Sequence, residues 1–587
     1  MAVSIEDTPR RVAPDRAAPP TRWGEWNFFL RAWGLRLLRG ARDLLPAHRV
    51  PRHVADARLA DAPILASFEA SLWPAIADQD ALVAGKIHNL RLALKRFDGL
   101  VIPAGAVFSF WRQLGRATEA RGFVVGRELR EGCIVPAVGG GLCQFSNGLY
   151  DTALRAGLEI VERHRHSRVL AGSLAEIDRD ATVFWNYKDL RLRAPFDWRL
   201  EAAMDEAMLT IRIRAEAVAP SAVLPLSVGQ RAEPAPGDCS SCDATDCHRH
   251  VGPRELSRHS TWLIDEDWPE FRQYRGANGT AQDRSIDRIA AAGGGLPAKA
   301  NRFVAALRWR WALWRGRAIP DARLQGLQTL ARRMARRLRP EDLHLVVSQG
   351  LLPFLWRNGD LAGRSFDVLM TALPMGEIQR RLDRAASRHP QCASLRDFRV
   401  DADLLKAEED ALRAARRWIG PHQEIADLAG ARAERLPWTM PSAIAKSPRA
   451  TDARFALLLP ASSLARKGVF ELRDALRGLD VELLLPPGAC EQADFWQGFA
   501  TRPVGSMREG IACADAVALP AWIEHQPRGL LMAMASGLPI IATPTCGLPV
   551  SSLWRSVPEG DAAALRQAVL DAMGARGNAM NPGEKTP

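Results

Sequence analysis

The chain has 587 residues, 47% of them hydrophobic and 25% charged, which excludes a low-complexity or disordered protein and, at roughly 150 residues per domain, leaves room for about three or four globular units. Its net charge of +12 comes from arginine and favours phosphate-bearing or otherwise anionic partners, while no basic block interleaved with aromatics marks a nucleic-acid site. Nine cysteines in so long a chain do not make a disulfide scaffold, no apolar run reaches the roughly 18 residues of a spanning helix, and the first residues carry acids and prolines where a secretory leader has an apolar core, so a cytoplasmic protein is expected.

In chain order, residues 1–21 are rich in Pro, Arg and Ala and read as disordered. Residues 22–83 begin with an amphipathic helical lead-in. Trp23, Trp26, Leu30, Trp33, Leu37, Ala41 and Leu44 recur at helical spacing, and Arg31, Arg39 and Arg42 lie off that stripe. Two readings follow: a helix packed by its apolar stripe on the next domain, or an in-plane contact of residues 22–45 with an anionic membrane face.

Residues 84–230 mix helix and strand. KIHNLRLALKRF and QFSNGLYDTALRAG read as helices. EIVERH, ATVFWNY, DWRLEAAM and LTIRIRAE alternate like half-buried strands. Gly139, Gly140 and Gly141 permit close backbone approach, and their N–H groups suit an anion. Cys143 and Gln144 open the helix that follows, where a thiol becomes nucleophilic. His164 and His166 lie two apart at the end of a strand and so share a face, and Asp180 is placed to orient an imidazole. Three readings stay open: a Cys–His–Asp nucleophile set, proton abstraction from a polysaccharide by His164, His166 or Tyr150, or a buried thiol and capped histidines that hold a glycine-rich binding loop.

VIPAGAVFSFWRQLG, GGGLCQFSNGLYDTALRAGLEIVERHRHS and RDATVFWNYKDLRLR together resemble the VanW family over about residues 101–192. The resemblance implies an α+β domain in a cell-envelope or polysaccharide context rather than a particular reaction.

Residues 231–255 hold a Pro-rich linker and GDCSSCDATDCHRH. Cys239, Cys242, Cys247 and His250 have the spacing of a tetrahedral set, with His248 as a competing ligand. Structural zinc, an iron–sulfur cluster and metal-free thiols are the three readings.

Beyond a glycine-rich break at 290–298, helices alternate with short apolar strands: LHLVVS, FDVLMTAL, FALLLP, VELLLP, ADAVALP and PIIAT. That alternation predicts doubly wound parallel α/β layers. Only two strands stand out between 300 and 450, so the region 256–450 reads as reduced, with Ser348-Gln349 at a strand end as its most suggestive loop. Within 451–575, Lys467-Gly468 follows a strand and opens a helix, a natural phosphate site. Glu524 follows the strand ADAVALP, at the end where open α/β sheets bind ligands. Residues 576–587 read as a tail.

Lys467-Gly468, Glu524 and MAMASGLPIIAT resemble the donor lobe of group-1, retaining, GT-B glycosyltransferases. The resemblance implies that Lys467 and Gly468 hold the diphosphate of a nucleotide-sugar donor, that Glu524 binds sugar hydroxyls, and that a glycan or lipid-linked glycan is the acceptor. Met532 stands where that family has its second Glu and Ser462 where it has an Arg, a place Arg466 is positioned to fill. The expected fold is therefore multidomain: an α+β VanW-like domain, a reduced acceptor lobe, then a GT-B-like doubly wound donor lobe. An enzyme of envelope or exopolysaccharide biosynthesis is one functional reading. A non-catalytic glycan-binding or scaffold protein is another, and a polysaccharide-cleaving or acyl-transferring VanW-like domain is a third.

Overall fold

A computed structural model of the protein describes residues 21–44, 50–73, 81–130, 133–166, 173–185, 187–216, 259–288, 319–448 and 453–580. Cys239, Cys242, Cys247, His248 and His250 lie outside the described residues, as do the Pro-rich linker and the glycine-rich break. The chain forms two compact units. The first takes in residues 1–259 with the short segments 338–344 and 358–365, and the second takes in the remainder.

The first unit opens with helix α1 (Arg22–Leu44). Its main sheet is antiparallel, in the order β1 (Ile64–Ser71), β9 (Met208–Arg214), β8 (Trp198–Met204) and β2 (Leu100–Ile102). Burial alternates along β8 and β9, the period expected of strands with one covered face. Two helices cover that face: α2 (Ala81–Phe97) on β8, and α3 (Leu142–Arg155) on β1 and β9. Between them Phe97, Phe108, Phe110, Phe145 and Trp198 are fully buried, with Phe97 and Phe145 stacked at 4.8 Å. Two smaller sheets complete the unit. One pairs β4 (Val125–Arg130) with β5 (Cys133–Val138), and the other runs β3 (Val107–Ser109), β7 (Arg191–Arg193), β6 (Glu159–Glu162).

Two strand expectations fail here. ATVFWNY makes only an isolated bridge between Phe184 and Lys188, because Phe184 and Lys188 exchange their backbone hydrogen bonds locally. EIVERH leaves its strand at Glu162, so His164 and His166 sit in the segment beyond it.

The second unit contains two six-stranded sheets. The first runs β11 (Arg284–Asp287), β10 (Ser260–Ile264), β12 (His344–Ser348), β13 (Ser365–Leu369), β14 (Trp418–Gly420), β15 (Ala433–Arg435), with β10 parallel to β11 and β13 to β15 mutually parallel. This region is therefore not reduced. Its additional strands escape the sequence pattern because β14 and β15 are three residues each and β11, RSID, is largely polar. The second sheet runs β18 (Thr501–Pro503), β17 (Val481–Leu485), β16 (Phe455–Leu458), β19 (Ala516–Leu519), β20 (Ile540–Ala542), β21 (Trp554–Ser556), all parallel. Numbered from β16, that order is 3-2-1-4-5-6, in which the strand order reverses between β16 and β19. In such sheets the ligand crevice opens at that point, outside the carboxyl ends of the strands.

Candidate functional site

Two constellations stand at the ends of these elements, one in each unit. In the first unit Cys143 lies in the opening turn of α3. His166 reaches the same place from the segment after β6. Its Nδ1 is 2.6 Å from Asp180 Oδ2, and its backbone N–H donates to the same oxygen at 2.6 Å. Asp180 is itself buried and accepts at Oδ1 from Arg163 Nη2 at 2.8 Å. Burial pulls the His166 pKa down, but Asp180 and the side chain of Cys143, which faces the same ring, raise it from 6.5 to about 9. The segment that carries Asp180 is clamped to α3: Ser146 Oγ donates to the Ala181 carbonyl at 2.6 Å, and the Ala181 N–H donates to Asn147 Oδ1 at 2.8 Å.

The structure thus brings Cys143, His166 and Asp180 together and separates them from His164. That imidazole bonds Glu162 Oε1 at 2.9 Å, so the two histidines do not share a role. Tyr150 lies under the Arg163 guanidinium, 4.8 Å from its ring centroid, and burial raises its phenol pKa, which works against its acting as a base. The three glycines are committed to packing. Gly139 and Gly140 donate their N–H groups to Val124 and Ala137, and a Cβ on Gly140 would come within 2.4 Å of the Gly126 backbone. These two amides are therefore spent and do not form an anion cradle. Gln144 Nε2 donates to the Ser71 carbonyl at 2.7 Å, tying α3 to the end of β1.

In the second unit Lys467 ends a single 3-10 turn after β16, and Gly468 caps helix α5 (Val469–Leu476) at φ +74°. Only glycine serves there, because a Cβ would fall 1.9 Å from the Pro520 carbonyl oxygen. That close approach draws the loop after β16 against the loop after β19, at the switch point. Lys467 Nζ meets Glu524 Oε2 at 2.9 Å and the Ile523 carbonyl at 3.2 Å. Glu524 Oε1 accepts from the backbone N–H groups of His525 and Gln526, each at 2.9 Å. Burial raises the Glu524 pKa, but Lys467 and the Gln526 N–H hold the carboxyl below its ordinary value.

Around this pair, Arg466 is taken up by Asp397 at 3.1 Å and by the Phe398 ring at 5.6 Å. Met532 is partly buried on helix α6 (Arg528–Ala535). Ser348 and Gln349 belong to a buried network, in which Gln349 Nε2 donates to Glu408 Oε1 at 3.0 Å and Gln349 Oε1 accepts from Thr371 and Ala372. Sequence reasoning passed over His525. Both its ring nitrogens are covered and without partner, although the residue as a whole is partly exposed. Burial, with Lys467 and Arg466 nearby, drops its pKa to about 3, so the ring is neutral and offers one donor and one acceptor. Its only sequence signal is adjacency to Glu524. From the first sheet, buried His422 reaches the same crevice, with Nε2 placed between the carbonyls of Glu524 at 3.0 Å and Thr545 at 3.1 Å. Among the described residues, no group of His, Cys, Asp or Glu is arranged to hold a metal ion.

Residues 85–214 match the family model described as VanW like protein. Over 110 residues the chain is 34% identical to the uncharacterized protein YoaR of Bacillus subtilis, a match covering 19% of this chain and 36% of that protein. Over 115 residues it is 35% identical to the vancomycin B-type resistance protein VanW of Enterococcus faecalis, covering 19% and 42%. Residues 85–214 are a VanW-like domain. The match spans less than half the length of either relative. Among solved structures, a sucrose-phosphate synthase from Thermosynechococcus elongatus aligns over 55% of this chain and 91% of its own at 15% identity and a TM-score of 0.34. Anabaena HepE, solved with UDP and glucose, aligns over 54% and 90% at 12% identity and a TM-score of 0.30. The GT-B-like reading of the α/β unit that follows the VanW-like domain rests on its tandem parallel sheets and on the strand order given above.

Proposed function

We propose that the α/β unit binds a nucleotide-sugar donor in the crevice at the β16–β19 switch point and transfers its sugar to a glycan or lipid-linked glycan of the cell envelope. The observation that carries this reading is the meeting of Lys467 and Glu524 at 2.9 Å, where a doubly wound sheet takes its ligand. In this reading Lys467 and the start of α5 receive the diphosphate and stabilise it as it departs. Glu524, released from Lys467, accepts hydroxyls of the sugar, with the neutral His525 ring beside it. Met532 and Ser462 make the donor contacts fewer than in the glycosyltransferases this lobe resembles, so binding in the micromolar to millimolar range is expected. Nucleotide sugars and lipid-linked acceptors meet at the cytoplasmic face of the membrane, and the reading places the work there.

Isothermal titration of the full chain against UDP-, GDP- and dTDP-sugars, with Lys467→Ala alongside, tests it. Saturable binding that Lys467→Ala removes supports a donor site and names the nucleotide. A folded protein that takes up none of the donors ends the reading and leaves a scaffold or glycan-binding role for this unit.

A second reading has its own observation. Cys143, His166 and Asp180 form a nucleophile, acid–base and carboxylate series with His166 Nδ1 2.6 Å from Asp180, an arrangement suited to acyl transfer. His166 holds the proton taken from the Cys143 thiol, as its raised pKa favours, and the sulfur attacks an ester or amide carbonyl. The departing amine or alcohol takes the proton from His166, leaving a thioester. An incoming amine or water, deprotonated by His166, then releases the acyl group and restores the thiol. Intact-mass detection of an acylated Cys143 with peptide-bearing envelope precursors supports this reading. Turnover that survives Cys143→Ala rules it out.

A further inference from the structure

The face that α1 turns to the VanW-like domain is its polar one. Arg39 reaches Glu162 at 2.5 Å and the Tyr187 carbonyl at 3.3 Å, and Asp43 pairs with Arg191 at 2.9 Å. One turn earlier, Arg36 donates to the Trp185 carbonyl at 3.3 Å and lies 5.9 Å from the centre of the Phe184 ring. Residues 36, 39 and 43 are three and four apart and therefore share a face. Held by that face, the helix presents its large apolar side chains to the outside: Trp23, Trp26, Phe29, Leu30, Trp33 and Leu38 are exposed, Trp23 by 76% and Leu38 by 70%. The apolar stripe is thus not buried on the domain behind it, which corrects the packed-helix expectation.

We propose that α1 is an in-plane anchor that seats the chain on a bilayer surface containing anionic lipid. Three observations choose lipid over a protein partner. Five of the exposed apolar residues, Trp23, Trp26, Leu30, Trp33 and Leu37, are spaced three and four apart and share a face, so the 23-residue helix offers a continuous stripe within its length of about 34 Å, which suits a flat surface. Three of them are tryptophans, whose amphipathic rings favour the headgroup boundary. Exposed Arg31 and Arg42 flank the stripe and meet lipid phosphates, whereas the acidic Asp43 is turned inward to Arg191, the charge arrangement of an interfacial helix. Among the described residues no helix is long and apolar enough to cross a membrane, which leaves the helix to lie in the surface. This inference stands on α1 alone and does not require the donor-site reading.

Flotation of the full chain with vesicles tests it, comparing phosphatidylcholine alone with phosphatidylcholine carrying about one-third phosphatidylglycerol. The chain is expected to float with the anionic vesicles. Trp26→Glu with Trp33→Glu should weaken that binding by roughly tenfold or more, as two large aromatic side chains lose their burial. Both positions are exposed, so the fold is expected to survive, with circular dichroism as the check. Arg31→Glu with Arg42→Glu should abolish the preference for the anionic vesicles. Failure of the wild type to float, equal flotation of the tryptophan variant, or a wild-type dimer that this variant splits without any vesicle binding would each overturn the proposal.

Discussion

Each unit of this molecule builds its candidate site on a short ion pair, and the two pairs have opposite consequences. In the VanW-like domain, Asp180 and His166 lie 2.6 Å apart and leave a third group, Cys143, facing the braced ring. In the α/β unit, Lys467 and Glu524 lie 2.9 Å apart and are themselves the two groups proposed to meet the ligand. On the acyl-transfer reading, the first pair orients the ring and stays closed through the reaction. On the donor-site reading, the second pair is one that opens, because a donor phosphate takes Lys467 from Glu524. A short ion pair thus has opposite meanings depending on whether it orients a nucleophile or occupies the place of the ligand.

The largest effect we expect is at the nucleophile. Cys143→Ala should lower acyl transfer by roughly a thousandfold or more, as loss of a covalent nucleophile does, while leaving nucleotide-sugar titration of the α/β unit unchanged. Parallel measurement of both activities would break the comparison if the substitution altered both.

A third pair, buried on its acidic side, provides a control. Arg528 of α6 grips Glu270, fully buried on helix α4 (Pro269–Asn278), through two contacts of 2.7 and 2.8 Å. The guanidinium also lies 5.6 Å from the ring centre of Trp268 and 5.2 Å from that of Trp438. Arg528→Ala strands a buried carboxylate and should cost about 3 kcal/mol of stability, visible as a fall in Tm. A change below about 1 kcal/mol would mean that water reaches Glu270 readily and that pairs in this unit open at little cost.

Asp180→Asn should cost less and in a pH-dependent way. His166 has its pKa raised in the folded protein to about 9, so its charged contact contributes fully below pH 6.5 and is lost as pH rises through about 9. We expect the wild-type advantage to include about 2 kcal/mol at pH 6 that fades by pH 10. The contact of Asp180 with Arg163 does not fade over that range and remains as a constant offset. Denaturant melts at several pH values check the slope. A flat difference would show that His166 is neutral and that Asp180 only ties the chain together.

Much of this was legible in short motifs. Cys143, His166 and Asp180 lie within one short stretch, and their residue types made them candidates for the group that the fold brings together. Gly468 and Glu524 could be placed because turns after parallel strands have few solutions. What could not be read depended on distant partners. Nothing near α1 says which face is held, because Glu162 and Arg191 are more than a hundred residues away. The role of the glycine run was hidden because nothing in the local pattern marks the β4–β5 hairpin that folds Gly126 back against it. His164 looked equivalent to His166 until the strand was seen to end at Glu162. The six-stranded first sheet was missed because three-residue strands carry almost no periodic signal.

The smallest effect is the most discriminating for the α/β unit. Glu524→Gln removes the charge that occupies Lys467 while keeping the side chain's shape and its acceptor oxygen. If the pair is a closed ligand site, bare UDP should bind the variant more tightly, by roughly three- to tenfold, or about 1 kcal/mol. A UDP-sugar should gain less, because the carboxylate that accepts its hydroxyls is now a weaker acceptor. The sign separates the two roles of Glu524, since opening Lys467 acts on the nucleotide and weakening the acceptor acts on the sugar. Equal gains for both ligands would mean that the sugar never touches Glu524. A loss for both would mean that Glu524 holds Lys467 in position for the phosphate, and the pair in this unit would then be a support, like the one between His166 and Asp180.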